Sequence, residues 1–164
     1  MKEDIKKIVL DTLSQISDPE IPVVNIIEMG MIRDIKIEEG EIKVLLTPTY
    51  SGCPAMRQIE DDILFSLGKK GFSDVTIETV LSPAWTTDWL SEGTKEKLKK
   101  YGIAPPVKNS SDNIFNIIST TQTVNCPFCD SSNTDLKSFF GSTACKSLYY
   151  CNNCQQPFEH FKCH

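Results

Sequence analysis

The sequence predicts an α+β protein: a small helix–strand–strand–helix–strand domain with a three-stranded sheet, followed by a cysteine-rich module. Three observations predict it. In the first half of the chain, apolar residues alternate between helical spacing and strand spacing in that order. Six of the seven cysteines fall after residue 125. Between these regions, Ala104-Pro105-Pro106 and Asn109-Ser110-Ser111-Asp112-Asn113 have the composition of a linker. The reading divides the chain into residues 1–107, a linker over 108–121 and a module over 122–164.

Ile5, Ile8, Val9, Leu13 and Ile16 recur along one face of a helix over residues 2–16. Ser17-Asp18-Pro19-Glu20-Ile21-Pro22 ends it, because neither proline continues a helix comfortably. Val23–Met31 then reads as an apolar connector. Two strands, Ile32–Ile37 and Glu41–Leu46, flank the hairpin turn Glu38-Glu39-Gly40. Met56, Ile59, Ile63 and Leu67 mark a second helix over residues 54–70, stopping near Gly71. Asp74–Leu81 is a third strand, with Val75, Ile77 and Thr79 on one face. Trp85 and Trp89 are spaced to stack one helical turn apart, either packed onto the sheet or presented to a partner. Thr94 is expected to cap a short helix over Lys95–Tyr101, with Gly102 closing it. No internal repeat is visible.

The net charge of −5, with no basic stripe interleaved with aromatics, argues against nucleic acid as a partner. No apolar run approaches the ~20 residues of a membrane span. The amino-terminal stretch MKEDIKKIVLDTLSQI is charged and amphipathic, without the apolar core of an export signal. The expectation is therefore a cytoplasmic protein that does not enter a membrane. In that compartment dense cysteine favours metal over disulfides, and an odd total of seven fits no complete disulfide framework.

Cys126-Pro127-Phe128-Cys129 and Cys151-Asn152-Asn153-Cys154 are two C-x2-C knuckles separated by 21 residues. Each knuckle supplies two thiolates from one tight turn, and zinc takes four in a tetrahedron. The spacing predicts a zinc ribbon whose metal carries the folding of a module too small for a self-sufficient core. An iron–sulfur cluster also takes four cysteines and is the competing occupant. Cys145, Cys163 and His164 are further candidate ligands, with Cys145 alternatively an inert core residue.

Cys53 stands apart, between Gly52 and Pro54 where a strand hands over to a helix. Pro54 suits the first helical position, which makes Cys53 the expected N-cap. There, unpaired backbone N–H groups and the helix dipole would lower the thiol pKa. The alternative is a small buried apolar residue.

The stretches DPEIPVVNIIEMGMIRDI, TPTYSGCPAM, SPAWTTDW and GSTACKSLYYCNNCQQPFEHFKCH together resemble the PaaD (PaaJ) proteins, encoded with the ring-epoxidising phenylacetyl-CoA oxygenase. Residues 1–107 resemble the wider iron–sulfur assembly family that includes SufT. The resemblance implies that Cys53 is the reactive cysteine and that Asp18 and Glu20 are the acidic signature beside it. It implies an accessory protein that assists assembly or repair of the oxygenase's iron–sulfur or di-iron centre, through a transient cluster or iron. A docking protein of the oxygenase complex with structural zinc only is the alternative. The implied partners are oxygenase subunits or other iron–sulfur clients, and a homodimer would bring two Cys53 side chains together. The chain shows no E-x-x-H pair, no dinucleotide-binding or P-loop glycines, and no histidine near Cys53 to act as a base. It reads as a metal-cluster assembly factor more than as a catalyst.

Overall fold

The computed structural model describes residues 2–106 and 123–162, so the linker expected over 108–121 and the candidate ligands Cys163 and His164 lie outside the described residues. Contacts divide the chain into two units, Met1–Leu90 and Ser91–His164.

The first unit follows the expected order: α1 (Lys2–Leu13), β1 (Ile32–Glu38), β2 (Glu41–Leu46), α2 (Ala55–Lys69) and β3 (Val75–Thr79). The sheet order is β1-β2-β3, with β1 antiparallel and β3 parallel to β2. The parallel pairing follows from α2, which returns the chain to the start of the sheet as a crossover. Alternation in β2 sends Ile42, Val44 and Leu46 into the core, where Val9, Leu13, Ile59, Ile63 and Leu67 of the helices are also buried. The β1–β2 turn needs positive φ at two consecutive residues, and Glu39 (φ 50°) and Gly40 (φ 96°) supply it, as in a type I′ hairpin.

The connector between α1 and β1 is part of this core. Ile21, Val24, Ile26, Met29 and Met31 are all buried. Its backbone is tied down by Asp18 N–H to Val24 C=O (2.9 Å) and Ile26 N–H to Ile16 C=O (3.0 Å). The tryptophans pack here. Trp85 is buried and its Nε1–H donates to Met29 C=O at 2.8 Å, while Trp89 meets it edge-on with 6.4 Å between ring centroids. Gly30 has φ +67°, and a Cβ there would sit 3.1 Å from Trp89 Cβ. Arg33 covers the outer face of Trp89 at 3.9 Å from the ring centroid. The pair is thus joined to the connector's backbone, not stacked one helical turn apart.

The second unit begins with α3 (Glu92–Tyr101), followed by β4 (Ile103–Ala104), β5 (Thr134–Ser138), β6 (Lys146–Cys151) and β7 (Pro157–Phe161). The sheet order is β4-β7-β6-β5, with β4 parallel to β7 and the other pairs antiparallel. α3 starts three residues before the expected Lys95. Ser91 is the cap, its Oγ accepting from Thr94 N–H at 3.0 Å, and Thr94 is a buried first-turn residue. Gly102 ends the helix at φ 93°, as expected, with the Phe128 ring 3.1 Å from where a Cβ would stand. α3 and β4, assigned from sequence to the region before the linker, group with the ribbon because β4 completes its sheet.

Trp85→Phe keeps a ring but strands the buried Met29 carbonyl. The first unit should lose about 1–3 kcal/mol, read as a lower urea midpoint with Trp89 fluorescence as the probe.

Candidate thiol site and metal centre

The first site is built by a turn. Tyr50-Ser51-Gly52-Cys53 is closed by Cys53 N–H to Tyr50 C=O at 3.3 Å, and Gly52 has φ +84°. α2 starts at Ala55, and Pro54, with helical dihedrals (φ −69°, ψ −21°), occupies the flanking position. Cys53 therefore precedes the cap and is not the cap itself. It is buried, at 8% exposure.

Burial pushes the Cys53 thiol above its ordinary pKa. The Ala55 N–H and the Tyr50 hydroxyl pull it down, while the charges of Glu20 and Asp18 push it up, and the net shift is upward. The expectation of a lowered pKa is corrected. The helix terminus contributes as expected, but it is outweighed by desolvation and two carboxylates.

Asp18 is buried, and its Oδ1 accepts from Glu20 N–H and Ile21 N–H, both at 2.8 Å. That carboxylate shapes the loop that carries it. Glu20 is half-buried. The charges of Glu20 and Asp18 act on Cys53, but the three are not among the groups of side chains that close together as a metal site among the described residues. Tyr50 has no role in the sequence reading. Nothing in a linear pattern shows that a tyrosine will act on a thiol three residues on.

The second site is the cysteine cluster. Among the described residues, the group of metal-ligating side chains that closes together is Cys126, Cys129, Cys151 and Cys154, with all four sulfurs within 4.8 Å of one another. The two knuckles have matching turns. In each, the residue after the second cysteine takes positive φ: Asp130 at 57° and Gln155 at 59°. Cys126 N–H donates to Ser131 C=O at 3.0 Å and Cys151 N–H to Gln156 C=O at 2.9 Å. Sulfurs pair across the knuckles at 3.6 Å, Cys126 with Cys154 and Cys129 with Cys151. A disulfide needs about 2.05 Å, so these are separate thiols. Zinc–sulfur bonds of about 2.3 Å give a tetrahedron with edges of about 3.8 Å. The donor set fits one zinc ion. A multi-iron cluster places separate irons behind its cysteines and spreads them farther apart.

Crowding also shows in proton affinity. Cys154 is pushed up to about 12, by burial first and then by hydrogen bonds with Cys151, Cys129 and Cys126. Cys151 is held down to about 6, chiefly by Cys154 N–H.

Cys145 is buried with its sulfur 3.1 Å from Thr143 Oγ1, and it is not part of the four-cysteine group. His160 is also buried. Its ring stands edge-on to Tyr149 at 5.7 Å, Nδ1 lies 3.5 Å from Ser147 Oγ, and Nε2 has no hydrogen-bond partner among the described residues. Burial, with Lys162 adding to it, lowers its pKa to about 4.

Comparison with known proteins matches both units. Residues 110–162 fit the PaaD zinc beta ribbon domain, and residues 6–78 fit the iron-sulfur cluster assembly protein family. An Escherichia coli protein provisionally named as one of the subunits of 1,2-phenylacetyl-CoA epoxidase is 45% identical over 152 residues, covering 92% of this chain and 88% of that one. The chain belongs to the PaaD family. A Bacillus subtilis Fe-S protein maturation auxiliary factor is 31% identical over 97 residues, covering 58% of this chain and 94% of that one. Of solved structures, a Bacillus anthracis domain of unknown function, DUF59, aligns with a TM-score of 0.54 at 25% identity over 58% of this chain and 92% of that one. A conserved hypothetical protein from Thermotoga maritima aligns with a TM-score of 0.50 at 30% identity over 57% and 92%. The iron-sulfur cluster assembly match, residues 6–78, includes Cys53, and the ribbon match, residues 110–162, includes the four clustered cysteines. No helix among the described residues is long and apolar enough to cross a membrane.

Two outcomes are expected. Chelating the metal, or replacing any one of Cys126, Cys129, Cys151 and Cys154 by Ala, should unfold the ribbon while leaving the first unit's circular dichroism and Trp emission intact, because its core contains no ligand. Second, His160 is neutral when folded and takes up a proton on unfolding between about pH 6.5 and 4. The His160 contribution to ribbon stability should be flat above pH 6.5 and fall below it by up to about 3 kcal/mol at pH 4. Urea midpoints compared at each pH with His160→Leu, which shares the metal's own pH dependence, isolate that slope.

Proposed function

We propose that this protein is an accessory factor of a phenylacetyl-CoA oxygenase that assists assembly or repair of the enzyme's iron–sulfur or di-iron centre. In this reading Cys53 is the working thiol and the ribbon is a zinc-held module that docks the client. The observation that supports it most is the fusion in one chain: a half similar to Fe-S maturation factors, and a whole similar to a protein named as an epoxidase component. The same reading places the protein in the cytoplasm with its client.

The chemistry of the thiol site suits transient handling of iron. Iron or a cluster is the cargo here. Cys53 is kept protonated by burial and by two carboxylates, so no thiolate is exposed to chance oxidation. An approaching ferrous ion is drawn by the charges of Asp18 and Glu20 and displaces the thiol proton. Cys53 offers one sulfur, so the remaining ligands come from the client or from a second copy. Incomplete ligation favours release over storage.

A docking role without a cargo step is the second reading, favoured by the fact that only the ribbon cysteines close into a metal-binding group among the described residues. Cys53→Ser separates the two. The variant should fold and keep one zinc per chain. Under the maturation reading, oxygenase purified from cells carrying it should be several-fold low in iron and in activity. Fully metallated, active oxygenase from those cells would leave the docking reading as the better account.

A further inference from the structure

We infer that α3 braces the first knuckle of the metal centre: Lys99, paired with Asp130, and the Phe128 ring, seated on Gly102, hold Cys126 and Cys129 in place among the four sulfurs. The inference rests on the reading of the ribbon as a zinc-held module and adds to it a helix that precedes the ribbon match at residue 110.

The two knuckles are supported unequally. The second sits inside the sheet, because Cys151 is the last residue of β6 and Pro157 the first of β7. Asn152 pins it to the start of β5: its N–H donates to Asn133 C=O at 2.9 Å, and its Nδ2 lies 3.2 Å from both Asn133 Oδ1 and Asp135 Oδ2. The first knuckle stands ahead of β5, which opens only at Thr134. Its turn closes on itself, with Asp130 N–H donating to Cys126 C=O at 2.9 Å and Cys126 N–H to Ser131 C=O at 3.0 Å. Such a turn fixes its own shape but not its direction toward the second knuckle.

The end of α3 supplies that direction. Lys99 stands in its last turn and Gly102 is its C-cap. The Lys99 ammonium pairs with the Asp130 carboxylate. Asp130 is the residue at positive φ, so the ion pair grips the knuckle where its chain reverses. Phe128, between the two cysteines, has its ring against Gly102. Its Cε1 and Cζ would stand 3.1 Å from a Cβ there, so this seat needs a residue without one. One helix end thus reaches residues on either side of Cys129. That helix end is itself anchored, because β4 follows Gly102 directly and pairs with β7. The brace therefore ties the first knuckle to the same sheet that holds the second.

Lys99→Met keeps a good helix former and removes the charge. The test is brief, substoichiometric labelling of the full zinc-loaded chain with N-ethylmaleimide, read by mass spectrometry after trypsin. Lys137 and Lys146 lie between the knuckles, so cleavage puts the two on different peptides. The variant should keep one zinc per chain. Its Cys126 and Cys129 should label about two- to fivefold faster, the factor an exposed ion pair can supply, while Cys151 and Cys154 keep the wild-type rate. Lys99→Arg should restore the first knuckle. Asp130→Asn tolerates the same backbone and should match Lys99→Met, with the double variant no faster than either. An unchanged first knuckle, four thiols accelerated alike, or additive effects in the double variant would each overturn the inference, since a general loss of ribbon stability favours neither knuckle. A wild-type chain without bound zinc is a separate result: it overturns the zinc-held reading, and the inference with it.

Discussion

Four sulfurs held within 4.8 Å are the constraint on which the second unit depends. They cannot all ionise side by side without a cation between them, and the opposed proton affinities of Cys151 and Cys154 express that conflict. The conflict is also structural. The buried cluster of this unit consists of Ala104, Val124, Cys126, Tyr149, Cys151 and Phe158, so two of its six residues are themselves thiols of the metal group. Tyr149 and Phe158 stack at 5.7 Å and join the sheet to that group. Core and metal centre are one object, unlike the arrangement in the first unit.

In the first unit the core is largely aliphatic with Trp85 buried in it, and it contains none of the four clustered cysteines. Opposed influences act on Cys53, with burial the largest. Burial and two carboxylates hold the proton on; an amide and a phenol favour its loss. A ribbon cysteine is instead surrounded by three other sulfurs. The two halves thus place the same side chain in different surroundings, one near two carboxylates and one among thiols.

Much of this is legible in the sequence. The alternation of Ile42, Val44 and Leu46 and the helical spacing of Ile59, Ile63 and Leu67 point to the sheet and its covering helix, because these periods are dictated by backbone geometry. The paired knuckles point to the metal group, because two C-x2-C turns have few other ways to satisfy four thiols. What is not legible depends on competition between near-equal candidates or on distant partners. Ser91 and Thr94 are both good caps three residues apart, and the choice is made by burial of Thr94. The direction of the Cys53 shift escapes a linear reading because helix-end effects are local, whereas burial depends on the whole fold and Glu20 and Asp18 arrive from a loop more than thirty positions away. The tryptophans look like a helical pair because their spacing is four, but the carbonyl that fixes Trp85 belongs to Met29, far upstream.

The two-residue pairing of β4 with β7 bears on where this protein can be divided. Similarity to the ribbon family begins at residue 110, after β4 has already been made. A fragment cut at that similarity boundary would carry all four metal-group cysteines and still expose the outer edge of β7, the edge that Ile103 and Ala104 cover. The span that matches the ribbon family is therefore shorter than the compact unit Ser91–His164. Any transplant of the ribbon onto another carrier must bring Ser91–Ala104 with it or supply a surrogate strand, since a bare sheet edge invites pairing with whatever chain is nearby.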